Sequence, residues 1–301
     1  MSTMKNFIIA GAGCMGQYVA EEFLKLIANC EGSNLTILTR SSPSGNAILE
    51  KLAKLGAHIV TVDYRSHESL VSALTDADVL ISVIGGYEDK ADYALADAAK
   101  AAGVKLFLPS EWGLYSRGIT DGIYASHDLI HRHLDRIGVP YALFYTGMWP
   151  DFMFAPGYAG WDIPQGKITV WGQGNTPITW TTRRDGARFV AYLLTHIPAK
   201  ELAGKMISVG GDHKTLNELA ESYTSRTGKK LEATYLPIVD QEKILADEPP
   251  FSFQGILAYL LVCYDKGRAD LRKTLPEGLA NELWPDWNPK SAVDALLETY
   301  P

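Results

Sequence analysis

At 301 residues, 47% hydrophobic and 21% charged, the chain has the make-up of an ordinary globular protein that can bury one large core, or a core plus an annex. A net charge of −7 gives no reason to expect nucleic acid as a partner. The longest apolar run, 255–264, is too short to span a bilayer, so no membrane contact is expected either.

The chain opens on an apolar run, Phe7-Ile8-Ile9-Ala10, that ends in Gly11-Ala12-Gly13-Cys14-Met15-Gly16, with a helical pattern over 17–28. In a βαβ unit the first glycine makes the turn off the strand, and the second admits a pyrophosphate. The third lets the helix pack on the strand, and its N-terminus faces the phosphates. The alternative is a plain strand–turn–helix. Residues 1–6 do not read as a signal peptide, because the apolar stretch is short and runs straight into the glycines. Further strands are predicted at 34–39, 58–62, 79–84, 105–108 and 141–145, and helices at 47–55, 70–74, 87–102 and 124–137. Alternation of this kind implies a doubly wound parallel sheet of Rossmann type over residues 1–150.

After Trp149 prolines and glycines break the pattern. Short strands are predicted at 168–171 and 178–181, around the turn Gly172-Gln173-Gly174-Asn175. A helix follows at 185–194, a strand at 206–209, a helix at 216–227 stopped by Gly228, and a strand at 231–236, the rest being mainly helical. Residues 151–301 read as a smaller substrate domain, interleaved with the first. Three cysteines, Cys14, Cys30 and Cys263, show no metal or C-x-x-C spacing, which points to a reducing, cytoplasmic setting.

In NAD-binding units an acidic residue ends the second strand, whereas in NADP-binding units an arginine there takes the 2′-phosphate. Here Thr39 and Arg40 hold that place, with Ser41 and Ser42 beside them, and neither Asp nor Glu occurs over 35–47. A guanidinium can fork onto a phosphate and two hydroxyls can add to it, so NADP(H) is the expected cofactor. The alternative is a solvated arginine in a polar loop.

The glycine stretch, Leu38-Thr39-Arg40 and above all Phe107-Leu108-Pro109-Ser110-Glu111-Trp112-Gly113 resemble the isoflavone reductase-like and NmrA-like proteins, which are atypical short-chain dehydrogenase/reductases. Their usual form of the last motif is F-L-P-S-E-F-G. Gly138-Val139-Pro140-Tyr141, Tyr145-Thr146-Gly147-Met148-Trp149, Gly172-Gln173-Gly174-Asn175, Thr182-Arg183-Arg184-Asp185-Gly186 and Leu283-Trp284-Pro285-Asp286 match as well. The resemblance implies a Rossmann-type domain, an NADP(H) site and a small C-terminal substrate domain. Members reduce aromatic or phenylpropanoid molecules, or sense NADP redox state without catalysis. With the glycine turn and the strand ends, it makes Gly11, Gly13, Cys14, Met15, Gly16, Arg40, Ser41, Ser42, Ile84, Gly85, Pro109, Ser110, Glu111, Gly147, Met148 and Trp149 the candidate cofactor contacts.

The chain departs from that family at one position. Its reductases carry a lysine eleven residues before the glycine of G-[IV]-P-Y; here that residue is His127, and no lysine occurs between Lys105 and Lys167. None of the fifteen tyrosines has a lysine four residues on; Tyr124, on the same helix and the other candidate catalytic group, is followed by Asp128. An imidazole can give or take a proton near neutral pH. Alternatively His127 fills space, or chelates a metal with His131 one turn away, although no third ligand at a known spacing is visible; no metal is expected. Ser110 and Glu111 alternatively only shape their loop. Trp112, Phe152, Trp161 and Trp180, with Trp149, suit a flat apolar substrate, and at least two of the five are expected to be core.

The first reading is an NADPH-dependent reductase of a medium-sized aromatic or polyketide-like molecule in secondary metabolism, monomeric or homodimeric. Its rivals are a non-reductive isomerase or cyclase on the same fold, and an NmrA-type NADP-binding regulator.

Overall fold

The computed structural model describes residues 4–28, 30–40, 44–85, 91–155, 158–249 and 251–300. The elements begin with β1 (Asn6–Ala10), α1 (Gly16–Ile27), β2 (Asn34–Thr39), α2 (Ala47–Lys54), β3 (His58–Thr61) and α3 (His67–Ala73). Then come β4 (Val79–Ser82), α4 (Ala91–Ala102), β5 (Leu106–Leu108), α5 (Tyr124–Ile137) and β6 (Leu143–Tyr145). They continue as α6 (Pro150–Met153), β7 (Trp161–Asp162), β8 (Lys167–Trp171), β9 (Ile178–Trp180), α7 (Arg183–His196) and α8 (Ala199–Leu202). β10 (Met206–Ser208), β11 (Asp212–Lys214), α9 (Leu216–Thr227) and β12 (Glu232–Leu236) follow, with α10 (Val239–Asp247), α11 (Phe253–Asp265), α12 (Leu271–Thr274) and α13 (Ala292–Thr299) at the end. No helix among the described residues is long and apolar enough to cross a membrane.

The chain divides into two compact units. One comprises Met1–Trp112, Ser126–Phe144 and Gly186–Ile207; the other comprises Gly113–Ala125, Tyr145–Asp185 and Ser208–Pro301.

The first unit is built on a five-stranded sheet in the order β3-β2-β1-β4-β5, every pairing parallel. Ile9 and Ile81 on its central strands are wholly buried, as befits a parallel sheet covered on both faces. Ile8, Ala10, Leu38, Leu80 and Phe107 pack with Leu95, Ala99 and Leu134 of the helices. Phe7 meets Phe23 of α1 at 4.9 Å between ring centroids. Burial of side chains of this size contributes about 1.5–3 kcal/mol each. Caps fix where the helices begin: Asn46 Oδ1 accepts the N–H groups of Ile48 and Leu49, and Ser66 Oγ that of Ser69. The sixth strand predicted at 141–145 forms only in part. Phe107 N–H donates to Pro140 O at 2.9 Å and Phe107 O accepts Ala142 N–H at 3.0 Å, a single bridge beside β5. Pro140 has no N–H to extend the ladder, and the regular strand is β6, which pairs with β10.

In the second unit β8 lies between β12 and β7, and β9 pairs with β11. The two strands expected around Gly172-Gln173-Gly174-Asn175 are present as β8 and β9, but they are not each other's partners. The side-chain N–H groups of Asn217 on α9 donate to Gln173 O at 2.9 Å and Asn175 Oδ1 at 2.7 Å, and so hold the intervening segment to a helix. A capping box of Thr215 and Glu218 opens α9, and Gly228 at φ +70° ends it, as predicted. Phe154 packs on Trp161 and Trp180 at 4.5 and 5.3 Å. Strand β12 is exposed over Glu232–Tyr235 and forms the outer edge of its sheet.

Candidate active site

The order of strands reverses between β1 and β4, the switch point where open α/β sheets take ligands. A cleft of about 1390 Å³ opens there, lined among others by Gly11, Gly13, Leu38, Thr39, Arg40, Ile84 and Gly85. Gly11 has φ +98°, a conformation that glycine takes without strain. A Cβ on Gly16 would sit 2.4 Å from Gly11 O and 2.7 Å from Val83 Cγ2, so only glycine lets α1 start this close to the strands. Gly13 faces open space. No side chain caps α1, and its first turn carries no acidic residue, so its positive end is fit for a phosphate. Exposed Arg40 at the end of β2 suits a further phosphate, and Asp63 in the same cleft caps its own turn by accepting Arg65 N–H. Ser41 and Ser42 lie outside the described residues. Of the remaining turn residues, Cys14 is exposed and Met15 buried.

At the end of β5 Pro109 is buried, and Ser110 N–H donates to Asp92 Oδ2 at 3.2 Å. Glu111 follows, its side chain 1% exposed. Its Oε2 lies 2.9 Å from His127 Nδ1, and its Oε1 lies 2.5 Å from His131 Nε2. The two histidines are four residues apart on α5, so both imidazoles fall on one face. Each carboxylate oxygen carries its own imidazole. The turn that aims Glu111 is unusual: Trp112 sits at φ +40°, a strained region for a bulky residue. Its indole N–H donates to Ser82 O at 2.8 Å and its backbone N–H to Phe144 O at 3.2 Å. The ring also packs edge-on against Phe144 at 5.4 Å.

Burial would push the Glu111 carboxyl up, but the charges and hydrogen bonds of His127 and His131 outweigh it and hold the group far below the usual range. For His127 burial works downward, and Glu111, by charge and hydrogen bond, with a smaller contribution from Asp92, raises it above the ordinary imidazole value. Asp92, on α4, is itself pushed up by burial. Sequence reasoning did not single out Asp92, and it gave Glu111 to the cofactor or the loop. The available signal was the i,i+4 histidine pair, which marks a shared face and therefore a shared partner.

The other candidates lie in the second unit. Tyr124 is buried, and its hydroxyl accepts Leu114 N–H at 3.1 Å. Gly147 at φ +66° passes so close to Thr179 that a Cβ would meet its carbonyl at 2.3 Å, and Met148 N–H donates to that same carbonyl. Trp149 is half-buried, and its indole N–H donates to Thr146 Oγ1 at 2.9 Å. Phe152 is also half-buried and lies edge-on to Trp149 at 6.0 Å. Trp161 and Trp180 are buried in this unit, as Trp112 is in the first; these three rings are core.

A model of the NmrA-like family matches residues 3–292. The isoflavone reductase homolog IRL of Zea mays is 30% identical, with 98% of each chain covered. Phenylcoumaran benzylic ether reductase TP7 of Nicotiana tabacum is 30% identical over 97% of each chain. Among solved structures, the binary complex of leucoanthocyanidin reductase and NADPH from Vitis vinifera is similar at a TM-score of 0.83, with 21% identity over 97% of this chain and 98% of that one. The glycine turn, the sheet order and the match along nearly the whole length agree, and the chain belongs to the NmrA-like family.

Proposed function

We propose that the protein is an NADPH-dependent reductase of a medium-sized aromatic molecule, with His127 supplying the proton. The observation that carries this reading is the bond from His127 Nδ1 to a buried carboxylate, at the position where the resemblance expects a lysine. Gly11, Gly13 and the start of α1 would take the pyrophosphate of NADP(H), and Arg40 its 2′-phosphate; when bound, this cofactor supplies the hydride.

Glu111 engages Nδ1 of the ring, and the proton to be given is the one on Nε2. The carboxylate also favours the imidazolium and raises the group above the ordinary imidazole value. Trp149 and Phe152, half-buried and edge-on to one another, offer rings to a flat substrate. An acid at this position supports net reduction over the rearrangement that a missing lysine would favour.

The test is turnover of NADPH with aromatic carbonyl, ene or benzylic ether substrates. His127→Ala is expected to lower it by about 10²–10⁴-fold, the usual scale of general acid catalysis, with cofactor affinity unchanged. The rate of the unaltered protein should fall as pH rises through the raised His127 value. A near-normal rate in His127→Ala with a flat pH profile overturns the assignment.

A further inference from the structure

The second imidazole of the cluster has a function of its own. His131 is 2% exposed at its side chain, and its Nδ1 is buried with no partner among the described residues. The nitrogen that faces Glu111 is Nε2, and a carboxylate only accepts, so Nε2 carries a ring hydrogen. His131 is therefore built as a donor to Glu111 Oε1.

A carboxylate that accepts a strong hydrogen bond on one oxygen pulls less on a proton held at the other. We infer that His131 is a positioning residue that limits how strongly Glu111 stabilises the His127 imidazolium, so that the second imidazole sets how readily the first releases its Nε2 proton. The inference rests on His127 being the proton donor. The geometry favours it over a merely structural pair. Glu111 is pinned by the Trp112 turn through two hydrogen bonds, and both histidines reach it from a single rigid helix. Besides Glu111, Asp92 from α4 acts on the His127 ring. On α5 itself Asp128 is tied to Arg132, and His133 to Asp97 of α4.

The experiment is a proton NMR titration of the His127 ring in the full chain, alongside the pH profile of turnover. In His131→Leu the midpoint should rise by about half a pH unit or more, because Glu111 then acts on His127 alone. In Glu111→Gln it should fall by about one to three pH units, the scale for loss of an adjacent opposite charge. His131→Gln, which keeps a donor, should return the midpoint near that of the unaltered protein. Circular dichroism confirms folding; should His131→Leu not fold, the Glu111→Gln and His131→Gln arms still decide. Opposite shifts in the first two variants, with recovery in the third, support the inference. A midpoint that stays put in Glu111→Gln, or that falls in His131→Leu, overturns it. If the midpoints move as expected while turnover ignores them, His127 is not the donor, and it is the proposed function that fails.

Discussion

Gly13 and Gly16 stand three residues apart in one turn and lack a side chain for opposite reasons. A methyl on Gly16 would collide with Gly11 O and Val83, whereas one on Gly13 meets nothing among the described residues. Gly16→Ala should therefore destabilise the fold by about 1–3 kcal/mol, the scale of overpacking, lowering the thermal midpoint with or without cofactor. Gly13→Ala should unfold like the unaltered protein yet bind NADPH more weakly in calorimetric titration. Equal NADPH affinity in the two proteins would remove Gly13 from the phosphate site. The turn was legible because glycine spacing is itself the signal. Glu111 was half legible: its motif placed it at the end of β5, but not its partners. A carboxylate in a loop can turn to a cofactor or to a helix, and that choice is made by the backbone of Trp112 at φ +40°, which no residue pattern encodes for an aromatic.

Element by element, periodicity and caps gave α1, α2, α5 and α9 to within a residue or so at either end. The pairing of the strands was not legible. Strands β8 and β9 were found in sequence but lie in different sheets, because partners distant along the chain, β12 and β11, compete for them. The rings were ambiguous for a like reason, since a tryptophan looks the same in a core and in a pocket. Burial separates them. Trp180, 1% exposed and in contact with Phe154 and Tyr264, should cost about 3–5 kcal/mol on substitution by Ala, read by chemical denaturation. Trp149→Ala should cost under about 1 kcal/mol and instead raise the KM for an aromatic substrate. Equal losses of stability in the two variants would contradict this division of labour.

For the molecule as a whole, the histidine cluster ties stability to pH. Glu111 is held low, so its contribution is complete above the ordinary carboxylate range and lost only as pH falls through its depressed value. His127 is raised, so its contribution is complete below the ordinary imidazole value of about 6.5 and lost as pH rises through its folded value. Asp92, pushed up by burial, also weighs against stability once pH passes the carboxylate range. The thermal midpoint should thus be highest at about pH 4.5–6.5 and decline toward pH 9. In Glu111→Gln the part of that decline due to His127 should vanish. Parallel curves for the two proteins would show that the cluster plays no part in it.

Strand β12 has a consequence of another kind. Its inner side is paired with β8, and among the described residues no strand lies beyond it. Its outer side is a row of amide and carbonyl groups open to water, with Tyr235 52% exposed alongside. Such a border is adhesive, because a second extended chain could complete it. Lys229 and Lys230 precede the strand and Glu232 opens it, so two copies aligned edge to edge in parallel would set like charges against each other. These three side chains therefore work against a closed, edge-to-edge dimer in that register.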